Sequence, residues 1–331
     1  MLYYRMGCER SVMEDPDDKY DSTWDDEYEE GKFGMTETRT PSRNLRAASD
    51  MQRFRHMCQN KIQVPLGQEK HNLHFYQNRS PSHPDDVYIK DYHKHWLGDY
   101  TRLERAHSYI QWLFPIQEPG GNSYAHVLTL EEIQHFRSNN ELKNKLLESY
   151  KLMLDFYGIR LVNEKTGEVQ RAGNWKERFE NLNRNSHNNL RITRILKCLG
   201  ILGLDRYQKP LVRFFLEETL VKGTLPQVKQ SALDYFMFAV LNKSERKELI
   251  KYAFWNFEPK EQFVWCPRKI RRKLLREIAQ KEHSSRPPAR REKMHHQTDY
   301  KRSSRNRGAQ NEGLSRKDPR HYRLSTQNWF H

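Results

Sequence analysis

From about residue 45 onward, apolar side chains recur at three- and four-residue intervals, the spacing that gathers them on one face of a helix, and only one short stretch argues for strands. The spacing predicts helices over 47–57 and 70–76. A third is expected to start at Asp99, whose carboxylate can accept the free amides of a first turn, and to carry Leu103, Ala106, Ile110 and Leu113 as one buried stripe. Pro115 stops it after Phe114, because proline lacks the amide donor and restricts the residue before it. The next stretch, IQEPGGNSYAH (116–126), is dominated by Gly, Pro and polar groups. It either covers a pocket or only connects two helices.

The following helix begins at a capping box, Thr129 with Glu132, and Ser138 with Glu141 repeats the spacing, so two helices are expected in close succession. In the second of them Leu142, Leu146, Tyr150, Met153 and Tyr157 share a face, with Gly158 as its left-handed terminator. IRLVNEKTGEVQRA (159–172) reads as a β-hairpin turning at Thr166 and Gly167. Helical spacing resumes over 175–183, 188–202, 205–221, 226–241 and 245–257, and once more over a very basic stretch at 268–281. The expected fold class is mostly α, a single multi-helix globular domain with one small β-hairpin. Internal repeats are absent, which argues against a solenoid.

Charge then sets the limits of the domain. The first 35 residues hold eleven Asp and Glu against four Lys and Arg, and residues 268–331 hold nineteen basic residues against six acids. Both ends are poor in aliphatic residues, so burial there is too weak to offset chain entropy. They are read as a disordered acidic segment (1–37) and a disordered basic tail (284–331), flanking a helical domain (38–267) and a basic helix (268–283). The longest mostly apolar runs, ILKCLGILGL and YFMFAVL, fall far short of the ~20 residues a spanning helix needs. The N-terminus lacks the basic start and apolar core of a secretory signal. Cys8, Cys58, Cys198 and Cys266 are scattered without a CxxC, which fits a reducing, intracellular setting with neither a disulfide framework nor a cysteine metal site.

Enzyme signatures are missing: there is no phosphate-binding glycine loop, no GxGxxG, no GxSxG and no HExxH. Glu131 with Glu132 and Glu217 with Glu218 are sequence neighbours, whereas acid and base roles need carboxyls converging from separate elements. No enzyme activity, cofactor or metal is expected. His71 with His74 and His93 with His95 lack nearby cysteines and read as solvated or core-edge histidines. Arg191, Arg194 and Lys197 lie on the side of a helix opposite Ile192, Ile195, Leu196 and Leu199, either as a solvated face or as phosphate contacts. RKIRRKLLR (268–276) packs six basic residues into nine. Such a cluster suits the acidic grooves of nuclear import receptors, with Arg268, Lys269, Arg271, Arg272 and Lys273 as the signal, and the basic tail suits weak nucleic-acid contact. The acidic run MEDPDDKYDSTWDDEYEE carries Tyr20, Trp24 and Tyr28 and suits a partner-binding segment.

The blocks HSYIQWLFP, LTLEEI, YKLMLDFYGIRL, SHNNLRITRILKCLG, PLVRFFLEETL, QSALDYFMFAV and QFVW, in that order, closely resemble the opioid growth factor receptor family over about residues 42–267. The acidic start MEDPDDKYDSTWDDE is similar as well, which makes Met13 a candidate initiator. The resemblance implies a non-classical opioid receptor, one without seven membrane helices, found in nucleus and cytoplasm with peripheral association at the nuclear envelope. It implies an enkephalin-type peptide as ligand and restraint of cell proliferation as outcome. A nuclear helical scaffold or nucleic-acid-associated protein that ignores enkephalin is the competing reading. A short peptide would want an apolar slot, an acidic partner for its amine and a basic anchor for its carboxylate. Trp112, Phe114 and Tyr124 are candidates for the slot, Glu118 or Glu131 for the amine and Arg160 for the carboxylate.

Overall fold

The computed structural model describes Thr23, residues 43–60 and residues 70–285. The acidic segment, Thr23 apart, and the basic tail beyond residue 285 lie outside the described residues. Helices α1 (Leu45–Asn60), α2 (His71–Tyr76), α3 (Ile89–His95), α4 (Tyr100–Arg105), α5 (Tyr109–Leu113), α6 (Leu130–Ser138) and α7 (Asn140–Phe156) precede a two-stranded antiparallel sheet. Its strands, β1 (Ile159–Asn163) and β2 (Glu168–Arg171), set Arg160 opposite Gln170 and Leu161 opposite Val169. Then come α8 (Trp175–Arg184), α9 (His187–Ile201), α10 (Gln208–Leu216), α11 (Lys229–Ser231), α12 (Met237–Ala239), α13 (Lys243–Asn256) and α14 (Arg268–Ser285). The mostly helical class with one hairpin is the one the periodicity predicts. Helix α3 was not anticipated, since seven residues holding only Ile89 and Tyr92 as buried positions leave no periodic signal.

One apolar cluster runs through the described residues, from Met51 on α1 to Leu274 on α14. Helix α14 enters it with Ile270 and Leu274, so the basic stretch is amphipathic. Gly158, at φ +75, ends α7 as expected, and a Cβ there would lie 2.8 Å from the Trp175 Cα. Asp99 and Thr129 cap as expected too: the Asp99 carboxylate accepts from the Arg102 amide, and Thr129 and Glu132 form a reciprocal capping box. Ser138 does not repeat that device. It closes α6 by donating to the Gln134 carbonyl, and the cap of α7 is Asn139, whose side chain accepts from the Glu141 and Leu142 amides. A short amide at the cap satisfies the same donors, so the spacing alone could not distinguish the two.

Glu132, 1% exposed, reaches beyond its own helix. Its carboxylate accepts from the Thr129 amide and also from the amides of Asn72 and Leu73 and the Asn72 side chain, which joins the N-terminus of α2 to that of α6. His93, predicted as a solvated or core-edge residue, is half-buried, and burial lowers its pKa to about 4. Its ring is therefore neutral at physiological pH and shares a 2.8 Å hydrogen bond with the Ser149 hydroxyl.

Several helices end against side chains from other segments, most of them distant in the chain. The carbonyls of Phe238, Ala239, Val240 and Leu241 accept from Arg55 (2.6 Å), Gln208 (2.8 Å) and, for the last two, Arg246 (2.7 Å each). The Phe156 carbonyl at the end of α7 accepts from Arg178 at 2.8 Å. A helix C-terminus leaves carbonyls unsatisfied and carries partial negative charge, so a buried guanidinium meets both needs. The helix expected from Asp99 to Phe114 breaks for this reason. Ala106 turns extended at ψ 135, and Arg191 collects the carbonyls of Leu103 and Ala106 at 2.9 and 2.7 Å. The segments expected as single helices over 205–221 and 226–241 are also subdivided, with π turns at Glu217–Val221 and Ala232–Phe236. In the first, the Thr219 hydroxyl donates to the Phe215 carbonyl at 2.7 Å, which competes with the backbone for that acceptor.

Candidate functional site

Helix α9 is enclosed by α10, α12 and the second π turn, and its polar side is not a solvated face. Arg191 and Lys197 are 4% and 3% exposed. The stripe Arg191, Arg194 and Lys197 faces inward, towards the turn between α4 and α5 and the loop that follows α5. Arg194 Nε donates to the Phe114 carbonyl at 2.8 Å and so closes α5. Lys197 Nζ meets both carboxylate oxygens of Glu118 at 2.8 and 3.0 Å, and Asp50 of α1 at 3.5 Å.

These residues line a cleft of about 340 Å³ between α9 and the loop 116–126. Ile110, Ile116, Leu190 and Tyr235 supply its apolar surface, and Leu190 is 70% exposed at the rim. The loop is tied down at its middle and where its two ends meet. The Asn122 side-chain amide donates to the His83 carbonyl at 2.8 Å, and the Leu128 backbone amide donates to the Ile116 carbonyl at 2.9 Å. Gly120 presses on Gln111, where an added Cβ would lie 2.1 Å from Gln111 Oε1. Gln111 is 7% exposed, and its Oε1 has no hydrogen-bond partner among the described residues.

At one end of the cleft His107 and His187 stand edge to face, 5.2 Å apart. His187 Nε2 lies 2.5 Å from Glu104, and Arg191 lies 3.1 Å from His107 Nδ1. Burial and the neighbouring Arg191 charge lower the His107 pKa. For Glu104, burial opposes ionisation, but hydrogen bonds from Asn181 and Asn188 outweigh it and the carboxyl titrates below its usual range. Burial lowers the Arg194 pKa to about 10, so the side chain stays charged at neutral pH. Across the lining, three cations face two carboxylates, Asp50 and Glu118, and both carboxylates are engaged by Lys197.

Of the six residues proposed from sequence for the ligand, Glu118 lines this cleft. Trp112 and Phe114 are core residues: the Trp112 indole donates to the His83 carbonyl at 3.0 Å, and Phe114 is fully buried. Tyr124 is 60% exposed, 6.4 Å from the His83 ring. Glu131 pairs with Lys70 at 2.5 Å on the surface, and Arg160 donates to Gln170 across the hairpin at 3.1 Å. The structure does not gather them into one site. Gln111, Leu190 and Tyr235 carried no sequence signal as site residues, while the α9 stripe was visible as a charge pattern but not as the wall of a cleft.

The fold and this cleft define an α-helical domain with a ligand-sized groove beside α9, and no helix among the described residues is long and apolar enough to cross a membrane. The chain belongs to the opioid growth factor receptor family: residues 66–272 match the model of the opioid growth factor receptor (OGFr) conserved region. It is 52% identical to the opioid growth factor receptor of Homo sapiens over 234 residues, 70% of this chain and 35% of that protein. The Mus musculus receptor is 48% identical over 286 residues, 78% of this chain and 45% of that protein. Opioid growth factor receptor-like protein 1 of Mus musculus is 47% identical over 229 residues, 69% of this chain and 49% of that protein. The chain thus spans half or less of the length of these curated relatives. No solved structure matches it.

Proposed function

We propose that this chain is a non-enzymatic, receptor-like protein that binds a short enkephalin-type peptide in the α9 cleft and thereby restrains cell proliferation. The observation that carries the reading is the cleft itself. Its volume of about 340 Å³ is within the range of small-ligand sites, and apolar walls with a few convergent polar groups suit a peptide that has both apolar side chains and charged ends. Membership in a family whose relatives are named receptors supports the same reading. Calorimetric titration of the full chain with an enkephalin-type pentapeptide should give saturable heat, and a scrambled peptide should give none. Equal and negligible heats for both would overturn the proposal and favour the scaffold reading.

We also propose residence in the nucleus and cytoplasm, with perinuclear enrichment and entry through the basic cluster on α14. Lys269, Arg272 and Lys273 are exposed there, while Arg271 donates to the carbonyls of Glu261 and Phe263. Replacing Lys269, Arg272 and Lys273 by alanine should shift a fluorescent fusion towards the cytoplasm without lowering its unfolding midpoint. Unchanged nuclear signal would remove these side chains as the import determinant.

A further inference from the structure

Thr23 is the one residue of the acidic N-terminal segment among the described residues, and it is fully buried. Its hydroxyl accepts from Arg246 Nε at 3.0 Å, a contact between residues 223 positions apart. Arg246 is 1% exposed and spends Nη1 on the carbonyls of Val240 and Leu241, where the chain passes from α12 to α13. Threonine is mostly an exposed residue type, and this one sits in a run, 13–30, that holds ten acids and one lysine. Such a run is too polar to bury itself. The enclosed Thr23 therefore marks a seat that the folded domain provides for this segment.

The surface beside the seat carries the complementary charge. Lys243, Arg246 and Lys247 stand at i, i+3 and i+4 of α13 and share one side of it. The acids of the same helix, Glu245 and Glu248, take the other side, where Lys209 meets Glu248 at 2.5 Å. The first turn of α13 adds the partial positive charge of a helix N-terminus. With Thr23 held at Arg246, its sequence neighbours Asp21, Asp25, Asp26 and Glu27 are tethered within a few residues' reach of these cations.

We propose that the acidic segment 13–30 docks in cis on the basic side of α13, with the Thr23 hydroxyl on Arg246 as its fixed point and its carboxylates on Lys243 and Lys247. Docking there requires no ligand in the α9 cleft. Because the occupant is part of the chain, the tether sets its effective concentration and weak surface contacts suffice. The docked segment withholds its acids and its aromatic residues Tyr20, Trp24 and Tyr28 from other proteins, so a partner for this segment has to outcompete α13.

Carbodiimide treatment of the full chain joins carboxylates to lysine amines in contact with them, and digestion with mass spectrometry locates the links. Residues 13–30 should be linked to Lys243 or Lys247 within one molecule, and salt at about 0.5 M should lower the yield several-fold. Thr23→Val keeps the side-chain shape but removes the acceptor, and should lower the yield about tenfold, the effect of one lost hydrogen bond to a charged group. A glutamate-specific protease should cut after Glu27, Glu29 and Glu30 about tenfold faster in Thr23→Val than in wild type, and faster also in Lys243→Glu with Lys247→Glu, while a cooperative unfolding transition shows that each domain is folded. Links mainly to lysines of residues 286–331, or between two molecules, overturn docking on α13 in cis. So does a cleavage rate that neither variant changes.

Discussion

Replacing Glu132 by alanine should lower the unfolding free energy by about 3–5 kcal/mol, the size expected when a buried charged acceptor leaves several donors unpaired. The change strands the backbone amides of Thr129, Asn72 and Leu73, which the carboxylate now accepts at 2.9 to 3.3 Å, and leaves the Asn72 side-chain amide only its 3.4 Å bond to the Val127 carbonyl. None of these donors can turn to water without opening the junction of α2 and α6, because Glu132 and Asn72 are 1% and 2% exposed. Glu132→Gln keeps one accepting oxygen but places an NH₂ against amide donors, so it should fall between wild type and alanine. Urea unfolding followed by tryptophan fluorescence reads the effect as a lower midpoint at unchanged slope. A midpoint within error of wild type for the alanine variant would mean that the two helices are held by packing alone.

Arg191→Ala should cost about 3 kcal/mol and loosen one stretch of backbone in particular. Its guanidinium donates to the carbonyls of Leu103 and Ala106 at 2.9 and 2.7 Å, and to Asn188 Oδ1 at 3.1 Å. Each orphaned buried carbonyl costs about 1–3 kcal/mol, partly offset here because the Tyr109 hydroxyl still donates to Leu103. Amide exchange should accelerate between Ala106 and Ile110 before it does elsewhere in the domain, since that is where the chain leaves one helix and enters the next. Arg191→Met, which keeps most of the apolar stem, should restore little if the hydrogen bonds dominate. Full rescue by methionine would assign the role to packing instead.

Helix ends show where reading the chain succeeds and where it stops. Gly158 terminates α7 because it alone tolerates φ +75 beside the Trp175 backbone, and Pro115 follows directly after the C-cap of α5. Both act through local backbone geometry, which is legible in single residues. The break at Ala106 has no such local mark. It is made by Arg191, 85 residues further along, and the end of α12 is likewise met by Arg55 and Gln208, 183 and 31 residues away. A long flexible cation looks the same in the chain whether it ends in water or against a buried carbonyl.

The candidate site divides in the same way. The Gly-Pro-rich loop was visible, and so was the question of whether it covers anything; it flanks a cleft, and Glu118 is its contribution to the wall. The aromatic residues Trp112 and Phe114, candidates for a slot, belong to the core because every residue of α5 is buried, as is its C-cap Phe114. By itself the sequence determined the helical class, the hairpin, the caps at Asp99 and Thr129, the Gly158 stop and the family, since each depends on interactions within a few residues or on long matching blocks. Only the tertiary structure decided that the basic stripe of α9 faces inward. That outcome depends on carbonyls and carboxylates from remote segments, whose attraction for buried cations exists only once the chain has brought them together.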